Sequence, residues 1–166
     1  MPALVIVDLS GCGLSESIPG ALSPRSFSRF ILSDNGLTGG LPANITAMFF
    51  DVSHNALSGP VWLAQLQSTS EMVVNLAQNN LSCPIHLAHL TTLRRLNLQS
   101  GGFAGCDFSD AAQVQLPESL ATLDVSNAPR AHTCAFEICS RIHFHFLRSL
   151  MRILLSPPLC APRPDL

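Results

Sequence analysis

The chain has 166 residues, of which 47% are hydrophobic and 12% are charged, and its net charge is −2. The charged share is about half the usual one, and together with the high apolar content it excludes an intrinsically disordered chain. All nine cationic residues are arginines, and the slightly negative balance gives no basic field that would attract nucleic acid or acidic lipid. We therefore expect a folded domain or one short repeat array that binds no nucleic acid.

Two apolar stretches are candidates for membrane insertion or export. Residues 142–155 are interrupted by two histidines and two arginines, and a span needs about 18 uninterrupted apolar residues, so we expect no membrane span within this chain. The apolar part of residues 1–8 is too short for a signal-peptide core and has no basic lead-in. We expect the chain to carry no export signal of its own.

One frame of apolar residues recurs from residue 4 to about residue 129. Its clearest copy spans residues 27–42 and has the pattern Phe-x-x-Phe-x-Leu-x-x-Asn-x-Leu-x-Gly-x-Leu-Pro. Further copies begin at residues 7, 50, 74, 93 and 120, and the asparagine slot falls at residues 12, 35, 55, 79, 101 and 128. The resulting spacings of 23, 20, 24, 22 and 27 residues are typical of a solenoid of stacked coils.

Each copy contains a short alternating segment that predicts a β-strand. In Leu96-Asn97-Leu98, for example, every second side chain points inward. One coil buries almost nothing alone, so successive copies must stack their strands in parallel.

The frame resembles the leucine-rich repeat, with the consensus L-x-x-L-x-L-x-x-N-x-L-x-G-x-I-P. This long form is similar to the plant-type repeats of receptor ectodomains and of kinetoplastid surface-antigen proteins. The resemblance implies an α/β solenoid, a right-handed coil of about five to six repeats with a parallel sheet on the concave face and irregular or short helical segments opposite.

The chain divides into two parts in this interpretation. Residues 1–129 form the repeat array, which lacks the clear polar N-terminal cap that solenoids normally need. This suggests a fragment, a truncated gene model or a family member that stacks on another molecule. Residues 130–166 are non-repetitive and rich in Arg, His and Cys. Arginines at helical spacing opposite apolar residues predict a short amphipathic helix or cap there, ending at Ser156.

The asparagine slot predicts a ladder of structural side chains, because a buried carboxamide can satisfy backbone donors and acceptors where the strand turns. We assign this role to Cys12, Asn35, Asn55 and Asn79, the cysteine being a family variant. Glycine at 101 and alanine at 128 lose those bonds, so we expect the last coils to be looser.

The outward-facing strand residues are the candidate ligand-binding site, because solenoids of this kind bind partners on the concave face. The residues we select are Arg29, Phe49, Asp51, Val73, Asn75, Arg95 and Asn97. An exposed aromatic residue and a valine between two arginines resemble the anchors of protein interfaces. The alternative is that Phe49 and Val73 only cover the strand surface, and that the Asp and Ser residues of the consensus are merely solvated.

Two tripeptides are potential N-glycosylation acceptors, beginning at Asn44 and Asn80. Asn80 lies between a ladder residue and an inward leucine, so its side chain should point outward. Both sites matter only if the chain enters a secretory lumen.

The cysteines leave several possibilities open. Residues 132–145 hold three histidines and two cysteines, compatible with free thiols, with a Cys134–Cys139 disulfide or with zinc, in that order of preference; we assign no metal site. Cys83 and Cys106 lie in neighbouring turns and could approach each other, which only geometry can decide.

No catalytic signature occurs in the sequence, which has no G-x-S-x-G elbow, HExxH, P-loop, dinucleotide fingerprint or kinase motif. We expect no enzymatic activity and no cofactor. By resemblance, the chain belongs to a cell-surface or secreted protein and recognises a protein or peptide, or else a glycan. The alternatives are an intracellular cytoplasmic scaffold, favoured by the missing signal, and a fragment of a receptor-like kinase whose catalytic domain is outside this chain.

Overall fold

The computed structural model describes residues 5–20, 26–42, 46–63, 71–103, 106–108 and 110–126, and the backbone of residues 152–154. Over these residues the chain forms strands and no helix. In chain order the strands are β1 (Val5–Asp8), β2 (Ser15–Ser17), β3 (Ser26–Ile31), β4 (Gly36–Thr38), β5 (Thr46–Asp51), β6 (Ser58–Trp62), β7 (Met72–Asn75), β8 (Asn80–His86), β9 (Leu93–Asn97), β10 (Val114–Gln115), β11 (Thr122–Asp124) and β12 (Arg152–Leu154).

The main sheet has seven strands in the order β1-β3-β5-β7-β9-β11-β12. All neighbours run parallel, and the first six strands come from the six copies of the repeat frame, one from each. The predicted parallel-strand solenoid is therefore confirmed. The described part of the chain contains no helix that is long and apolar enough to cross a membrane.

The opposite side of the solenoid differs from the prediction of irregular or short helical segments. Two smaller parallel sheets lie there, β2-β4 and β10-β8-β6. Backbone hydrogen bonds also link the coils between these sheets, with Ala56 N–H donating to Leu37 O at 2.8 Å and Ser58 N–H to Gly39 O at 2.7 Å. Equivalent backbone groups of adjacent coils lie opposite each other, so extended segments satisfy them without helices. The α component of the expected α/β class is absent from the described residues.

The core lies between the main sheet and the opposite side. Phe50, Val52, Leu57 and Val61 belong to one coil and are all fully buried. Burying such a side chain contributes about 1.5–3 kcal/mol, and each coil obtains that burial from its neighbours. The ring of Phe30, for example, stacks on that of Phe50 with centroids 6.1 Å apart.

A left-handed residue ends each strand segment of the first five coils. The φ angles are similar in all five coils: Gly11 (62°), Asp34 (56°), His54 (54°), Gln78 (52°) and Ser100 (51°). The N–H of each of these residues donates to a carbonyl of the next coil, for example His54 to Ala77 O at 3.0 Å and Gln78 to Gln99 O at 2.8 Å. The turn thus continues the hydrogen bonding of the sheet around the corner.

The segment after residue 129 departs from the helix prediction where it is described. Residues 152–154 form β12, which runs parallel to β11, so the expected helix does not extend through them. The edge of β11 presents unpaired backbone groups, which a further strand satisfies. The other residues of 130–166, including the predicted helix or cap, Cys134 and Cys139, lie outside the described residues.

Candidate ligand-binding face

The outward side chains of the main sheet form one continuous surface, called here the outer sheet face. Strand pairing aligns four of the predicted site residues, together with one residue on each side of them, in a single row across the strands. That row is Ile6, Arg29, Phe49, Val73, Arg95 and Thr122. Because neighbouring strands are about 4.8 Å apart, a ligand that crosses the strands can contact several of these residues.

Arg29 and Phe49 interact within this row. The Arg29 guanidinium lies 4.7 Å from the centroid of the Phe49 ring, a cation–π geometry. Phe49 and Val73 are half-buried, whereas Arg29 and Arg95 are exposed. The prediction of an exposed Phe49 is therefore only partly right, because the neighbouring arginine covers part of the ring.

A second row runs beside the first and contains the other predicted site residues. Five of its six members are Asp8, Asp51, Asn75, Asn97 and Asp124. In each of them a side-chain oxygen accepts the backbone N–H of the residue two positions later, at 2.9–3.3 Å. Ile31 occupies the remaining position and is buried. Each of these carboxylates and carboxamides holds the turn that follows its strand.

Asp51 and Ser53 are more structural than the sequence indicated. Ser53 is only 4% exposed, and its hydroxyl donates to Asp51 Oδ1 at 2.6 Å. Asn75 Nδ2 then donates to Asp51 Oδ2 at 3.1 Å and to Ser53 Oγ at 3.2 Å. The expectation that these consensus residues are solvated is wrong for Ser53, because the neighbouring coil covers it.

Positions along the second row differ in charge and in hydrogen bonding. Ser10 donates side-chain and backbone hydrogen bonds to Asp8 that lower the pKa of this carboxyl, and Arg29 adds a smaller attraction. On β9, by contrast, the neutral Asn97 accepts Gln99 N–H through its oxygen at 2.9 Å, and its amide finds no acceptor among the described residues. The β1 and β9 positions of this row therefore offer different chemistry to a ligand.

The asparagine ladder lies behind this face, at the turn. Asn55 Oδ1 accepts Leu37 N–H at 3.0 Å, and Asn55 Nδ2 donates to Leu32 O, Val52 O and Ser53 O at 2.9–3.1 Å. Asn35 and Asn79 make the equivalent four bonds. Each carboxamide thereby joins its own coil to the preceding one.

Two members of the asparagine slot behave differently. Cys12 is exposed, and its thiol donates to Ser10 O of its own coil at 3.6 Å, which is the equivalent of one of the four ladder bonds. Gly101 is buried against the ring of Phe103, which occupies the space of a Cβ atom. Packing against Phe103 thus explains why position 101 is a glycine, and the repeat pattern alone does not show this.

The opposite side holds three further features. A disulfide joins Cys83 to Cys106, whose Cα atoms are 5.5 Å apart, and this settles the question that the sequence left open.

Asn80 is exposed at the start of β8, whereas Asn44 lies outside the described residues. Sequence reasoning missed Trp62, which is 60% exposed with its ring 6.3 Å from that of His86; the alternation after buried Val61 would have predicted its outward direction.

The described residues contain no group of three His, Cys, Asp or Glu side chains that could hold a metal ion. The His- and Cys-rich segment at 132–145, for which zinc is one of the three possibilities, lies outside them.

Comparison with known proteins bears on the first coil. A protein-family model described as Leucine Rich Repeat matches residues 3–24, which include β1 and β2. Neither the curated proteins nor the solved structures contain a match to the chain. The later coils repeat the same frame and pair in the same parallel order. Residues 3–24 thus carry a leucine-rich repeat, and the chain folds as a parallel-strand solenoid consistent with a leucine-rich repeat coil.

Proposed function

We propose that the chain is a non-catalytic recognition module that binds a protein or peptide on the outer sheet face. The observation that carries the proposal is the row in which Phe49 and Val73 lie between Arg29 and Arg95 on consecutive strands. Aromatic and arginine side chains dominate the binding energy of protein interfaces. The leucine-rich repeat at 3–24 supports the same class of function, since such repeats are generally interaction modules rather than enzymes.

The arrangement of the face supports recognition through preorganisation. The cation–π contact with Arg29 holds the ring of Phe49, and the second row fixes the turns beside it. A ligand therefore orders few side chains when it binds, which lowers the entropic cost of association. A glycan would use the same surface through its hydroxyl groups, and we keep it as the second class of ligand.

We further propose that the chain belongs to a cell-surface or secreted protein with plant-type repeats. The Cys83–Cys106 disulfide supports an oxidising compartment, and exposed Asn80 supports glycosylation there. The exposed thiol of Cys12 favours the alternative of an intracellular scaffold. Mass spectrometry of the protein from its native cells separates the two, because a reduced Cys83 and an unmodified Asn80 would contradict the extracellular proposal.

The binding site is tested by site-specific photo-crosslinking of the full chain in its native cell extract. A photoreactive phenylalanine at position 49 should capture the partner, whereas the same group at Trp62, on the opposite side, should not. With the captured partner, Phe49→Ala should weaken binding by more than about 1 kcal/mol, and Trp62→Ala should be neutral. Capture at position 62 alone would place the site on the opposite side.

A further inference from the structure

The second row of the outer sheet face has two neutral amides between carboxylates. In the second row, β1 and β5 carry the carboxylates Asp8 and Asp51, whereas β7 and β9 carry the neutral amides Asn75 and Asn97. A negatively charged ligand is therefore disfavoured near β1 and β5. On the other side, Asp124 of β11 is the register partner of Asn97, so it is the nearest carboxylate to β9.

Two side chains of β9 keep their hydrogen-bond donors free. Across the part of the chain that the structure describes, the exposed Arg95 guanidinium makes no ion pair or hydrogen bond, and Asn97 Nδ2 has no acceptor. The equivalent amide of Asn75 is already used by Asp51 and Ser53. Arg95 and Asn97 lie two residues apart on one strand, so both point outward with Cα atoms about 6.6 Å apart.

Free donors of this kind fit an anionic acceptor. A guanidinium binds a carboxylate with two parallel hydrogen bonds, and a charge-assisted bond is roughly twice as strong as a neutral one. Val73 lies directly beside Arg95 on β7, and Phe49 is one strand further. A carboxylate on β9 would thus have an apolar surface immediately to one side.

We propose that Arg95 and Asn97 dock a carboxylate side chain of an extended peptide, whose apolar side chain two residues away lies on Phe49 and Val73. This inference rests on the recognition function proposed above and names its ligand class. With strands about 4.8 Å apart, the midpoint between Phe49 and Val73 is about 7 Å from Arg95, which matches the spacing of side chains i and i+2 in an extended peptide. The motif that fits is Leu-x-Glu, crossing the strands.

The experiment measures binding of the full chain to fluorescent peptides blocked at both ends. The probe has the sequence Ser-Gly-Leu-Ser-Glu-Gly-Ser, and its matched control has Gln in place of Glu. The Glu peptide should bind about tenfold more tightly than the Gln peptide. Arg95→Gln should remove this preference, because it removes the guanidinium that pairs with the carboxylate. The fold should be unaffected, since Arg95 is exposed and makes no hydrogen bond or ion pair with any described residue.

Two charge variants test the neighbouring positions. Asn97→Asp keeps the oxygen that accepts Gln99 N–H, as Asp51 and Asp124 do in their coils, but replaces the free donor with a negative charge; it should weaken the Glu peptide several-fold. Asp124→Asn removes the nearest carboxylate while keeping its bond to Ser126 N–H, and should strengthen the Glu peptide. Circular dichroism confirms that each variant folds.

Equal binding of the Glu and Gln peptides, or no binding of either up to about 1 mM, would overturn the inference. A preference for Glu that survives Arg95→Gln would overturn it as well. The recognition function is tested by a different result. If a partner is captured at position 49 and its affinity is unchanged in Arg95→Gln, the recognition function stands and only the carboxylate site is refuted.

Discussion

Replacing Asn55 with alanine removes four hydrogen bonds, two to the preceding coil and two within its own coil. The oxygen accepts Leu37 N–H, and the amide donates to the carbonyls of Leu32, Val52 and Ser53. The side chain is partly buried at the turn, so water cannot fully replace it. The cost depends on which backbone groups lose every partner.

The carbonyls keep a second donor in the variant. Leu32 O still accepts Asn35 Nδ2 at 3.0 Å, Val52 O accepts Asn79 Nδ2 at 2.9 Å, and Ser53 O accepts Asp34 N–H at 3.1 Å. Only the N–H of Leu37 loses its sole partner. An orphaned buried donor costs about 1–3 kcal/mol, and the lost secondary bonds add to it, so we expect Asn55→Ala to destabilise the chain by about 2–3 kcal/mol.

Asp51→Ala and Thr91→Ala provide graded comparisons. Asp51 loses the bonds from Ser53 and Asn75, but it is half-exposed and water reaches it, so we expect about 1 kcal/mol. The exposed Thr91 should be neutral. Urea unfolding followed by circular dichroism measures all three, and amide exchange should show that protection of Leu37 is lost in Asn55→Ala.

A loss in Asn55→Ala no larger than that in Asp51→Ala would refute the reasoning. It would mean that the turn relaxes enough for solvent to satisfy Leu37 N–H, and that the ladder contributes little.

Replacing both Cys83 and Cys106 with alanine should cost about 3 kcal/mol, because the disulfide closes a loop with a sequence separation of 23; a loss below 1 kcal/mol would show that the opposite side is held by packing alone. Expression in a glycosylating secretory host should add a glycan to Asn80 that Asn80→Gln removes, and an unshifted mass in the wild-type chain would contradict accessibility of this residue. The hydrogen bonds from Ser10 lower the pKa of Asp8, so the stabilisation by this carboxylate is complete above the ordinary Asp pKa of about 3.9 and is lost as the pH falls through the lower folded-state value. NMR titration should show a higher pKa for Asp8 in Ser10→Ala, and an unchanged value would exclude that hydrogen bond as the cause.

The repeat frame predicts the main sheet because alternation fixes both the strand and its inward side. The six copies of the frame coincide with β1, β3, β5, β7, β9 and β11. The small sheets opposite were not predictable in the same way, since segments such as Ser58–Trp62 show only short apolar runs whose hydrogen-bond partners lie in another coil. Whether a segment there is helical or extended depends on those partners rather than on its own pattern.

The details of the candidate site were only partly predictable. Strand register aligns Arg29, Phe49, Val73 and Arg95 as the frame implies. The burial of Ser53 and the free amide of Asn97 depend on residues of adjacent coils, and no single copy of the frame contains that information. The Cys83–Cys106 disulfide required the geometry of two coils for the same reason.

The left-handed turn residues should tolerate glycine substitution, and a mutational scan can detect this tolerance. Glycine substitutions within strands usually destabilise a protein by about 0.5–1 kcal/mol, but glycine adopts positive φ without steric cost. At Asp34, His54, Gln78 and Ser100, glycine should therefore be neutral or stabilising. These positions lie 20, 24 and 22 residues apart, so a glycine scan would find one tolerated site in each coil. In a related array that has lost the asparagine slot, the number of such sites would give the number of coils.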